Sequence, residues 1–110
     1  MEKTYNKLVR DNISNIIKNN GEKPITRILT NEEYKQELEK KLYEEYQEVL
    51  ESSGEDRIEE LADMLEVIKA LAKLENKDLE DIINIANQKN SKRGSFNDKI
   101  FLEKVITNNK

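Results

Sequence analysis

The chain has 110 residues, 38% of them charged and 35% hydrophobic, with a formal net charge of −4. Length predicts one domain with a thin core. There is no Cys and no His, which excludes disulfides, thiolate sites and imidazole chemistry; any metal is then held by oxygen, selecting Mg²⁺, Mn²⁺ or Ca²⁺ over zinc. The opening Met1 to Asn12 lacks the apolar core of a signal peptide, and no later segment has the apolar length to span a bilayer. A cytoplasmic protein with no membrane partner is the expectation. The acidic balance argues against a general nucleic-acid surface.

Three Gly and one Pro punctuate the chain, and β-branched residues form no alternating runs, which predicts helices. Leu8, Val9, Ile13, Ile16 and Ile17 suit a short helix starting near Asp11 or Asn12 and stopped by Asn19-Asn20-Gly21. An extended stretch over 23–29 follows. Thr30 or Asn31 then caps a second helix from about Glu32 to Leu50. The turn at 51–54 breaks it, and Ser52 with Glu55, or Ser53 with Asp56, has capping-box spacing for a third helix from about Glu55 to Leu74. Asn76 or Asp78 caps a fourth through Leu79, Ile82, Ile83 and Ala86, ending in the basic segment 89–96. The apolar Ile100-Phe101-Leu102 and Val105-Ile106 are expected to dock as a short helix or strand, and 107–110 to fray. The predicted fold is all-α: a bundle of four to five helices on a central antiparallel hairpin of the second and third. Its apolar arcs are too broad for one copy to cover, so oligomerisation completes it.

Two acidic patterns carry the chemistry. Glu44-Glu45-Tyr46-Gln47-Glu48 reads E-E-x-x-E, and Glu60-Leu61-Ala62-Asp63 reads E-x-x-D; residues three apart share a helix face. Such spacings are common among 23 acidic residues, and most are solvated. Angular position separates these two pairs from that background. At about 100° per residue, Glu45 projects inside the apolar arc of Tyr34, Leu38, Leu42, Val49, Tyr46, Leu50 and Tyr43, between Tyr34 and Leu38, with Glu48 at its border. On the third helix Val67, Leu71, Met64, Ile68, Leu61, Leu65, Ile58 and Ala62 form the arc; Glu60 falls inside it, between Val67 and Leu71, with Asp63 at the edge. An ionised carboxylate there costs several kcal/mol unless compensated. A hairpin reversing near Ser52 and Ser53 sets the midpoints of the two pairs within roughly 3 Å of helix rise. Four carboxylates then converge, and a divalent cation is the obvious counter-charge. Carboxylate-held Mg²⁺ takes substrate phosphates and water as its remaining ligands, and it lets water attack phosphorus without a protein nucleophile. Glu44 is placed to orient or deprotonate that water, or is an exposed helix-surface acid.

Glu44-Glu45-x-x-Glu48 followed by Glu60-x-x-Asp63 resembles the signature of the MazG-like all-α nucleoside triphosphate pyrophosphohydrolases. Tyr5-Asn6-Lys7-Leu8-Val9-Arg10-Asp11 and Lys89-x-x-x-Arg93-Gly94-x-Phe96 look like those of its small phosphoribosyl-ATP pyrophosphohydrolase-like branch. The resemblance implies Glu45, Glu48, Glu60 and Asp63 as Mg²⁺ ligands, with Mn²⁺ as a substitute. It implies cleavage between the α and β phosphates to a nucleoside monophosphate and pyrophosphate, in a homodimer or homotetramer. A house-cleaning role on non-standard or excess nucleotides is the form expected. The acid pairs here are only eleven residues apart, Val49 to Glu59, leaving little room for a base-reading insertion between them.

Lys89 and Arg93 stand four apart at a helix end. They suit phosphate oxygens, with Gly94 allowing close backbone approach, or simply complement the helix dipole; the resemblance favours phosphate. Lys7 and Arg10 are weaker phosphate candidates, because Arg10-Asp11 reads equally as a structural ion pair or a helix-start device. Two alternatives compete: the phosphoribosyl-ATP pyrophosphohydrolase of histidine biosynthesis, and a non-catalytic helical interaction module whose acidic stripes steer a basic partner.

Overall fold

The computed structural model describes residues 1–107, and the described residues form four α-helices and no strand: α1 (Ile13–Asn19), α2 (Asn31–Glu51), α3 (Gly54–Leu74) and α4 (Leu79–Arg93). The expected fraying of 108–110 lies outside the described residues. The chain divides into two compact units, Met1–Leu79 and Glu80–Lys110.

In the first unit the helix ends are set by local chemistry. Asn12 precedes α1 without a side-chain cap. Gly21, at φ +83°, closes it: its N–H donates to the Lys18 carbonyl (3.0 Å) and that of Glu22 to Ile17 (3.2 Å). These two bonds form a Schellman closure. Thr30 opens α2 in a full capping box, accepting from the Glu33 N–H at 3.2 Å while Glu33 Oε1 accepts from the Thr30 N–H at 3.1 Å. Arg27 forks onto both oxygens of Glu33 at 3.2 and 3.0 Å, tying the extended 23–30 stretch to the helix start. The Arg27 hydrogen bonds, then the Thr30 N–H, pull the Glu33 carboxyl down to about 2.

Two sequence expectations about caps are corrected. The capping box at Ser52 or Ser53 does not form. Ser53 takes the N-cap place without a side-chain bond; Ser52 donates its hydroxyl to the Val49 carbonyl (3.1 Å), and its own carbonyl accepts from Arg57 Nε (2.9 Å). The connection is so short that Ser52 is spent on closing α2. Gly54 begins α3 at φ +58°, a left-handed value that side chains resist. Asn76 closes α3 instead of opening α4: at φ +60° its N–H donates to Lys73, and the Lys77 N–H donates to Ala72, both at 3.0 Å. Asp78 is left immediately before α4.

The long helices α2 and α3 pack on each other. Leu38, Val67 and Ala72 are buried, with Tyr34, Leu42, Val49, Met64, Ile68 and Leu71 half-buried around them. The rest of each predicted apolar arc faces outward: Tyr43, Tyr46 and Leu50 on α2, and Ile58, Leu61 and Leu65 on α3, are exposed. No helix among the described residues is long and apolar enough to cross a membrane.

In the second unit α4 ends at Gly94, whose N–H donates to the Asn90 carbonyl at 2.9 Å. The apolar segment beyond does not dock. Ile100, Phe101, Leu102, Val105 and Ile106 are all exposed and in neither helix nor strand. With neither helix nor strand formed over them, these side chains are not gathered onto one face that could pack on a core.

Candidate metal centre

α2 carries Glu45 and Glu48 one turn apart, and α3 carries Glu60 and Asp63 in the same relation. Packing of the two helices brings three of the four together. Glu45, Glu60 and Asp63 each offer a carboxylate oxygen, all within 4.8 Å of one another. All three residues are half-buried. Glu45 Oε2 and Glu60 Oε2 are shielded from solvent and have no hydrogen-bond partner. Glu48 is exposed and stands outside the three-oxygen group, but its carboxylate lies close enough to act on both Glu45 and Glu60.

The like charges and burial appear as raised proton affinity. Desolvation raises the Glu45 carboxyl above the usual carboxylate range, helped by Glu48 and Asp63 and opposed by Lys41. Glu60 is pushed up to about 7, first by a carboxyl–carboxyl contact with Glu48 that favours the protonated form, then by desolvation and by the charges of Glu48, Asp63 and Glu45. Both effects disfavour the ionised state. The cluster therefore attracts cations, and protons in their absence.

One cation from the chain itself reaches the cluster. Arg10 donates through Nη2 to Asp63 Oδ1 at 2.7 Å, across 53 residues of sequence. Arg10 is thus tied to one of the predicted metal ligands. Angular analysis of two helices cannot find it, because Arg10 precedes α1 and shares no periodic frame with α3. The only available signal was the resemblance of the segment 5–11.

Glu44 is half-buried on α2, apart from the three-oxygen group. Lys89 and Arg93 are exposed near the C-terminus of α4, in the second unit; the carboxylate cluster is assembled wholly within the first. Arg93, Gly94, Phe96 and Asp98 help line a hollow of about 250 Å³ in the second unit. A hollow of about 350 Å³ over Leu61, Ala62, Met64, Leu65 and Ile68 contains no ionisable side chain. It is a feature of the exposed apolar arc of α3, not of the acidic cluster.

No protein-family model matches the chain, and neither a curated protein nor a solved structure matches it.

Proposed function

We propose that the chain is a Mg²⁺-dependent nucleotide pyrophosphohydrolase of the MazG-like type, cleaving between the α and β phosphates to yield a nucleoside monophosphate and pyrophosphate. The observation that supports this best is the pair of solvent-shielded, unpartnered oxygens on Glu45 and Glu60. A buried anionic oxygen without a partner is costly, and a divalent cation is the partner that answers both at once. The donor set fits a hard ion: all ligands are carboxylate oxygens. The carboxylate oxygens of Glu45, Glu60 and Asp63 all lie within 4.8 Å of one another, and carboxylate oxygen is a donor that Mg²⁺ takes.

In this reading Glu45, Glu60 and Asp63 would hold the ion, with the exposed Glu48 as the fourth carboxylate of the set. When bound, Mg²⁺, or Mn²⁺ in its place, neutralises phosphate charge and makes water a better nucleophile. Glu44 accepts the proton of the attacking water. Lys89 and Arg93 bind substrate phosphates. The uncovered arcs of α2 and α3, arranged as an antiparallel hairpin, are closed by further copies of the chain in a homodimer or homotetramer. A house-cleaning role in the cytoplasm, without membrane or nucleic-acid partners, completes the proposal.

The test is a panel of nucleoside triphosphates with Mg²⁺, reading pyrophosphate against phosphate release for the wild type and Glu60→Gln. Metal-dependent pyrophosphate release by the wild type, lost in a folded Glu60→Gln protein, is the expected result. Full activity in Glu60→Gln removes the site, and a wild type inert across the panel removes the activity.

A further inference from the structure

We infer that Arg10 is a phosphate-binding residue of this same site, held in position by Asp63; the inference rests on the pyrophosphohydrolase reading. Four carboxylates against one divalent cation leave the cluster net negative, and a polyphosphate tail is itself strongly anionic. Among the described residues of the first unit, Arg10 is the cation bonded directly to the cluster, while Lys41 acts on Glu45 only through its charge.

The geometry of Arg10 suits a second ligand. Its guanidinium has five N–H donors and makes one side-chain hydrogen bond, through Nη2 to Asp63 Oδ1. The side chain remains 60% exposed, so the rest of the fork faces solvent beside the carboxylates. Its backbone is anchored, because the Arg10 carbonyl accepts from the Ile13 N–H at 3.1 Å in the turn entering α1. A fork fixed at both its backbone and one nitrogen loses little freedom when it meets phosphate oxygens, which match it in planar, two-point fashion. Lys at this position keeps the charge but not the fork.

A purely structural tie between Arg10 and α3 predicts different behaviour, so the test separates metal binding from phosphate binding. Mn²⁺ affinity is measured by electron paramagnetic resonance of the free ion. Affinity for inorganic tripolyphosphate, a probe independent of base and sugar, is measured by calorimetry in saturating Mg²⁺. Both are determined for the wild type, Arg10→Ala and Arg10→Lys, with helical circular dichroism confirming the fold of each. Arg10→Ala is expected to weaken tripolyphosphate binding by about tenfold or more, as loss of a charge-assisted hydrogen bond implies. Its Mn²⁺ affinity should be unchanged or tighter, since a competing cation leaves Asp63. Arg10→Lys should fall between.

Unchanged tripolyphosphate affinity in Arg10→Ala, with Mn²⁺ bound normally by the wild type, overturns the role of Arg10 and leaves the metal site standing. A parallel loss of Mn²⁺ affinity also overturns it, because Arg10 then serves only to position Asp63. A wild type that binds no Mn²⁺ overturns the metal site and this inference together. If Arg10→Ala fails to fold, Arg10→Lys decides by the same two affinities.

Discussion

Changing Glu45 to Gln tests the electrostatic argument, because it removes one charge while keeping shape. Glu45 Oε2 is shielded and unpartnered, and its carboxylate lies within 4.8 Å of those of Glu60 and Asp63. Two unit charges at that separation repel by about 3.5 kcal/mol at an effective dielectric of 20. Water on the open side of the cluster and the Arg10 guanidinium on Asp63 screen much of this, leaving about 1 kcal/mol as the expected gain on removing the charge. The substituted amide also donates hydrogen bonds that its acidic neighbours accept. Metal-free Glu45→Gln should therefore melt about 5 °C above the wild type. The response to Mg²⁺ should go the other way. At a hundredfold excess over its dissociation constant the ion stabilises the wild type by about 2.7 kcal/mol, and Glu45→Gln should lose most of that increment. Thermal melts followed by circular dichroism, with chelator and with Mg²⁺, read both effects in one experiment. A Glu45→Gln protein that is less stable without metal, and responds to Mg²⁺ like the wild type, refutes the reasoning: Glu45 would then be an ordinary structural acid.

Two further outcomes are expected. Glu60, raised in the folded state to about 7 from the ordinary 4.5, binds protons more tightly folded than unfolded; its contribution to metal-free stability is present below about 4.5 and is lost as pH rises toward 7. The difference in urea midpoint between the wild type and Glu60→Gln should follow that window in chelator and flatten in Mg²⁺, and a difference independent of pH contradicts it. Sedimentation at micromolar concentration should find an oligomer that Leu61→Glu disrupts, since Leu61 lies in the exposed apolar arc; a monomeric wild type ends that expectation.

The helical character of the chain was legible because its signals are local. Thr30 with Glu33, the stop at Gly21 and the apolar rhythm through Leu38, Leu42, Val67 and Leu71 each act within one or two turns, and α2 and α3 begin and end within one residue of the expected places. The misread positions are those where one residue had two local options. Ser52 and Asn76 suit either end of a helix, and only the length of the connection and the backbone sign at Asn76 decide between them.

The acidic cluster divides along the same line. From the sequence alone, angular position put Glu45 and Glu60 inside apolar stripes, because a helix turns by a constant angle and so carries facing information in its spacing. Which oxygens meet depends on how two helices pack, and a sequence period does not encode that. Packing draws Glu45, Glu60 and Asp63 together, leaves Glu48 exposed beside them, and sets Arg10 on Asp63 from 53 residues away. Periodicity reports which way a residue faces on its own helix; only the tertiary structure, by placing one element against another, decides what it faces.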